Sequence, residues 1–246
     1  MRILMVTDAW RPQVNGVVRT LERLAETLKS FDVETDFLTP NTFRTLPLPT
    51  YPEIRLALTT PGHVARLIDA RKVDHVHIVT EGPLGIMARR YCRHAGRPFT
   101  TSYHTRFPEY LSARLPVPES WSYNWLRDFH NSGQGTLVAT QSLADDLASR
   151  GFNKLKLWTR GVDTELFHPD KKKDLGLPGP IFLCAGRVAI EKNLPAFLDF
   201  AAGMARELPP DAAGIADWCM TAVADDEPRP GVGKAPVGEP RTPAWR

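Results

Sequence analysis

Sulfur is scarce in this 246-residue sequence: three cysteines, Cys92, Cys184 and Cys219, lie far apart in no metal-ligand spacing. Odd in number and scattered, they exclude a disulfide framework or a zinc cluster as the basis of the fold. A basic excess is also missing. The formal net charge is only +3, so no nucleic-acid partner is expected. No stretch approaches the ~18 apolar residues that span a bilayer. The opening run, residues 1–6, soon meets Asp8, which reads as a buried strand and not a signal peptide; the cytoplasm is the default location. The glycine fingerprint G-x-G-x-x-G is absent too, which disfavours a generic dinucleotide-binding protein.

What remains is an ordinary globular composition, 42% hydrophobic and 24% charged. Short apolar runs at residues 2–7, 33–38, 75–79, 98–103, 136–140, 154–158 and 181–185 read as strands. Between them lie amphipathic segments. Val17, Val18, Leu21, Leu24, Ala25 and Leu28 recur at helical spacing, and further helices are predicted at about 62–72, 83–95, 119–131 and 141–150. This alternation predicts an α/β fold, a Rossmann-like parallel sheet with helices on both faces. Such sheets bind ligands beyond the carboxyl ends of their strands. Chemistry is therefore expected in loops 8–16, 80–85, 103–110, 140–142, 159–165 and 186–193.

Residues 1–162 form the first domain in this reading, and 163–179 a linker carrying Pro169, the run Lys171–Lys173, Gly176, Pro178 and Gly179. A new strand at 181–186 and a helix from Asn193 open a second α/β domain over 180–208. Residues 200–246 hold seven Pro and five Gly, with five Lys/Arg against seven Asp/Glu. That composition predicts a disordered tail from about residue 209. The rest of the chain is mildly basic, which suits phosphate-bearing ligands or an anionic membrane surface.

Five strand-end segments, in order, resemble glycosyltransferase family 4, a family of the GT-B fold, and most of all its bacterial α-mannosyltransferase and glycolipid-glucosyltransferase branch. They are residues 7–20 (TDAWRPQVNGVVRT), 80–85 (TEGPLG), 103–110 (YHTRFPEY), 160–163 (RGVD) and 186–193 (GRVAIEKN), and the match covers residues 1–199. The resemblance implies two Rossmann-like domains facing across a cleft, the first for the acceptor and the second for the donor. It implies retaining transfer of mannose or glucose from a UDP- or GDP-sugar to a lipid or saccharide hydroxyl. No metal or other cofactor is implied.

Each segment then has two readings. Gly16 matches the family's glycine near the donor diphosphate, where a helix N-terminus offers free N–H groups; alternatively it is a turn glycine. His104 matches the active-site histidine, although a lone histidine also serves as a structural hydrogen-bonder. Glu81 either contacts the acceptor or favours the start of the next helix. Arg106 and Tyr110, beside His104, would shape the acceptor pocket. Arg187 and Lys192 match the cations that neutralise the departing diphosphate, fixed charge that favours the transition state; the plainer reading pairs them with Glu191. Arg160 stands at the interdomain crossover. Arg89, Arg90, Arg93, His94 and Arg97 make a basic helix surface, either simply solvated or in peripheral contact with anionic headgroups at the inner membrane face.

The family pattern also carries an E-x7-E element in the donor domain. No such element follows Leu198 here, and Asp225, Asp226 and Glu227 do not fit it. The expectation is a frame truncated or shifted near residue 199, leaving a non-native tail and a unit that lacks catalysis unless a partner completes it.

Overall fold

The structure is a computed structural model that describes residues 1–13, 16–48, 51–104, 108, 118–159, 161–172 and 193–207. The chain divides into two units, Met1–Val162 and Asp163–Arg246.

The first unit is built on six parallel strands: β1 (Arg2–Val6), β2 (Glu34–Leu38), β5 (His75–Ile78), β6 (Phe99–Tyr103), β7 (Thr136–Val138) and β8 (Leu155–Leu157). Their spatial order is β2-β1-β5-β6-β7-β8. Among the described residues five helices accompany them: α1 (Gly16–Lys29), α2 (Pro61–Ala70), α3 (Pro83–His94), α4 (Glu119–Asn131) and α5 (Gln141–Ser149). This is the expected α/β, Rossmann-like fold, that of a GT-B N-terminal domain.

Strand periodicity of two sorts the core into layers. Leu4 and Val6 of β1 join Val76 and Ile78 of β5 in packing with Val64 and Ile68 of α2 and Leu84, Ala88 and Cys92 of α3. Met5 packs with Leu21 of α1 and with Val79. A third group gathers Tyr103, Val138, Tyr123 and Leu126 of α4, Leu147 of α5, and Phe152. Burial of Cys92 pushes its thiol up to about 11, so it packs as an inert apolar group.

Several element ends differ from the sequence expectation, each for a local reason. Asp32 and Lys154 take left-handed φ values of 55°, so β2 and β8 begin one residue later than the apolar runs do. Thr140 is the N-cap of α5 and accepts a bond from Leu143 N at 3.2 Å, which ends β7 at Val138. Thr60 caps α2 in the same way, with Pro61 in its first turn.

A hairpin not foreseen in the sequence, β3 (Arg44–Leu48) and β4 (Tyr51–Leu58), forms a separate antiparallel pair. Pro47, Pro49 and Pro52 hide it, because proline reads as loop; a two-stranded ribbon is all edge, where proline is tolerated. The register shift lies at Pro47/Leu48.

In the second unit, Asp163 Oδ1 accepts from Glu165 N at 3.1 Å and Leu166 N at 2.9 Å, and a 3-10 turn covers Pro169–Lys171. Helix α6 runs from Leu194 to Glu207. The strand expected at 181–185 and the tail from 209 lie outside the described residues.

Candidate active site

Strand order reverses around β1. The chain leaves β1 for β2 on one side, then crosses to β5 on the other. The crevice beyond the carboxyl ends of β1 and β5 is therefore the topological switch point, where open parallel sheets bind ligands. Three of the expected residues stand at these strand ends: Gly16 as the first residue of α1, Glu81 in the loop after β5, and His104 directly after β6.

Asp8, at the end of β1, organises the crevice. Its carboxylate Oδ1 accepts from Leu84 N at 2.9 Å, and Oδ2 accepts from Gly85 N at 3.3 Å and from the Thr80 hydroxyl at 2.9 Å. Asp8 N in turn donates to Thr80 Oγ1 at 2.7 Å. A side chain just past β1 thus satisfies two orphan N–H groups of α3. Burial pushes the Asp8 carboxyl up, with Glu81 adding to the rise, while Leu84 N–H, the Thr80 hydroxyl and Gly85 N–H pull the other way. The hydrogen bonds from the start of α3 are accepted by Asp8, while Glu81 precedes the N-cap Gly82.

Replacing Asp8 by alanine strands two buried N–H donors. The expected loss is about 3 kcal/mol, or about 6–12 °C in Tm for a unit of this size. Asp8→Asn keeps one acceptor oxygen and should lose about 1 kcal/mol. Thermal unfolding by circular dichroism checks both, and equal Tm values for Asp8→Ala and the parent would contradict the cap.

Gly16 opens α1, whose first turn carries no acidic residue. Its carbonyl accepts from Thr20 Oγ1 at 2.6 Å. His104 is half-buried, its ring 6.2 Å from that of Trp158, which directly follows β8. Behind it, His77 is buried with Nδ1 2.8 Å from Thr100 Oγ1 and Nε2 2.8 Å from Ser102 Oγ. Glu81 Oε1 lies 3.1 Å from Nε2 of His130, a buried residue in the last turn of α4.

Arg106, Tyr110, Arg160, Arg187 and Lys192 lie outside the described residues. The basic helix surface is smaller than the sequence suggests. Arg89 bonds Asp128 Oδ2 at 2.9 Å, Ser132 Oγ at 2.8 Å and the Phe129 carbonyl, and Arg97 bonds the Val73 carbonyl. Arg89 thus fastens α3 to α4, Arg97 lies beyond the end of α3, and Arg90, Arg93 and His94 stay exposed. Among the described residues no helix is long and apolar enough to cross a membrane, and no three His, Cys, Asp or Glu side chains are placed to hold a metal ion.

A groove of about 460 Å³ lined by Arg93, Arg97, Gly133, Gln134 and Lys154 lies at the other end of the sheet, before β6, β7 and β8. It is not where a parallel sheet presents its loops for chemistry.

Sequence reasoning passed over Asp8, Thr80, His130 and Trp158. The signal for Asp8 was a polar residue closing an apolar strand at a switch point. His130 gave none, as a single histidine on an amphipathic helix.

The profile described as Glycosyltransferase Family 4 matches residues 14–166. Among curated proteins, the GDP-mannose-dependent alpha-mannosyltransferase of Mycobacterium tuberculosis is 25% identical over 232 residues, covering 85% of this chain and 61% of the relative. The Sulfoquinovosyl transferase SQD2 of Arabidopsis thaliana is 29% identical over 165 residues, covering 61% and 32%. A GDP-mannose-dependent alpha-mannosyltransferase of Corynebacterium glutamicum is 25% identical over 190 residues, covering 70% and 46%. The chain thus spans less than two thirds of the length of each.

Proposed function

This chain belongs to Glycosyltransferase Family 4, and from that premise we propose that it takes part in retaining transfer of a hexosyl group, mannose or glucose, from a nucleotide-diphosphate sugar to a lipid or saccharide hydroxyl. GDP-mannose is the donor that the names of the relatives favour. What supports the reading is that Gly16, Glu81 and His104 lie in the connections that follow β1, β5 and β6.

In this reading Met1–Val162 is the acceptor side. His104 orients the sugar, and Glu81 with Arg106 and Tyr110 receives the acceptor. The α1 N-terminus at Gly16 faces the diphosphate, and Arg187 and Lys192 bind its oxygens as charge builds on departure. No metal takes part. Contact with a membrane surface would run through Arg90, Arg93 and His94.

Titration of the purified chain with GDP-mannose and UDP-glucose tests the donor half. Saturable binding is expected, weakened about tenfold or more by Arg187→Ala or Lys192→Ala, the loss of one charge-assisted bond. Binding that ignores both substitutions, or no binding of either donor, would overturn it. A second reading rests on the fact that every described candidate residue lies in Met1–Val162: an acceptor-binding unit completed by another chain. It predicts binding of a hexoside without turnover of donor.

A further inference from the structure

Behind Glu81 runs a line of hydrogen bonds that leads into the centre of the sheet. Glu81 Oε1 is 3.1 Å from His130 Nε2; His130 Nδ1 is 2.8 Å from Thr101 Oγ1 of β6; and Thr101 Oγ1 is 3.0 Å from Thr136 Oγ1 of β7. The His130 side chain is 0% exposed and that of Glu81 is 21% exposed. Rings close the space around the imidazole, with centroids of Tyr103, Phe129 and Phe152 at 5.5, 5.2 and 5.9 Å.

The chemistry fixes the direction of this line. An ionised carboxylate only accepts, so Nε2 must carry the proton that faces Glu81. In the neutral ring Nδ1 is then an acceptor. It takes the Thr101 hydroxyl proton, and Thr101 accepts from Thr136. With the ring neutral each of these groups is satisfied in that arrangement, and turning the ring over breaks both of its hydrogen bonds.

The line is buried at one end and open at the other. No described Lys or Arg pairs with Glu81, and no described residue donates to its Oε2. Asp8 stands near enough for Glu81 to push its carboxyl up, so a second anion beside Glu81 is disfavoured. A neutral hydroxyl donor suits such a carboxylate better than an anion does.

We infer that His130 is the positioning residue for Glu81: it clamps Oε1 from below and so aims Oε2 at one hydroxyl of the acceptor. The inference rests on the acceptor-side reading of this unit and adds the residue that fixes the orientation. Glu81 touches the acceptor, and His130 acts only through it.

The test is binding of methyl α-D-mannopyranoside to the full chain, with Tm measured for each variant. Glu81→Gln and His130→Phe should each weaken binding about tenfold or more, and the double variant should be no weaker than either single one. His130→Gln, which returns an N–H donor near the place of Nε2, should recover most of the loss, whatever its Tm. Equal weakness of His130→Phe and His130→Gln would reduce His130 to packing. Unchanged binding in His130→Phe would remove the clamp and leave the acceptor reading standing. No binding by the parent chain would instead sink the acceptor reading, and this inference with it. Imidazole ¹⁵N spectra supply a readout that needs no substitution at His130. The Nε2–H form is expected, shifted by the hexoside in the parent and not in Glu81→Gln; an Nδ1–H form would overturn the clamp.

Discussion

Alanine at Gly85 should destabilise the first unit by about 4 kcal/mol or more, lowering Tm by about 8–16 °C. A Cβ placed there falls 1.9 Å from the Thr80 carbonyl oxygen and 3.1 Å from Ile78 Cγ2. The obstacle is backbone and cannot swing aside as a side chain does. Moving it would drag Thr80, and with it the hydroxyl that bridges to Asp8. Gly82 is under a related constraint, with its Cβ position 2.5 Å from the Asp8 carboxylate. Gly62 in α2 is the control, because nothing lies within 4 Å of its Cβ position. Gly62→Ala should leave Tm unchanged or raise it slightly, by the ordinary entropic gain of a helix. Circular dichroism melts of the two variants separate these outcomes. A Gly85→Ala protein that melts with the parent would mean that the 80–85 loop is not packed against Asp8 in this way.

Acid should weaken the fold over a window set by His77. Burial holds this imidazole well below its ordinary range, down to about 3, with His104 and His75 adding to the effect. The unfolded chain titrates near 6.5. Above that value both states are neutral and the group contributes nothing to the pH dependence. Below it the unfolded chain takes up a proton that the folded chain refuses, so stability falls by about 1.4 kcal/mol per pH unit. By pH 3 the loss from this one residue reaches about 4–5 kcal/mol. His75, lowered by burial and then by Arg97, adds in the same sense. Asp8 works against it. Its raised carboxyl is protonated first in the folded state, so its contribution is fully present below the unfolded value and is lost as pH rises through the folded one. Urea midpoints of the parent and of His77→Gln between pH 7 and 4 check the assignment. Equal slopes in the two proteins would show that His77 is not the group responsible.

How much of this could be read beforehand depends on how far each interaction reaches along the chain. Helices α1 to α5 and the six sheet strands follow local periodicity and were legible, with ends off by a residue or two where Asp32, Lys154 and Thr140 set the backbone. The hairpin was not, because three prolines outweighed the alternation of Leu46, Leu48, Ile54, Leu56 and Leu58. The positions of His104 and Glu81, as polar residues after strands, were legible. Their supports were not. Asp8 meets Leu84 across 76 positions and His130 meets Glu81 across 49, and no local pattern encodes either pairing. The same limit explains the basic helix. Spacing alone cannot show that Arg89 turns toward Asp128, 39 positions away.

The central claim is that the carboxyl-end crevice of the first unit is its ligand-binding face. Amide shift mapping during a titration with methyl α-D-mannopyranoside tests it most directly. Perturbations are expected at residues 8–13, 80–85, 103–104 and 158 alone, with the groove at Gly96, Gly133, Gln134 and Lys154 silent. Shifts centred on that groove, or none anywhere, would contradict it.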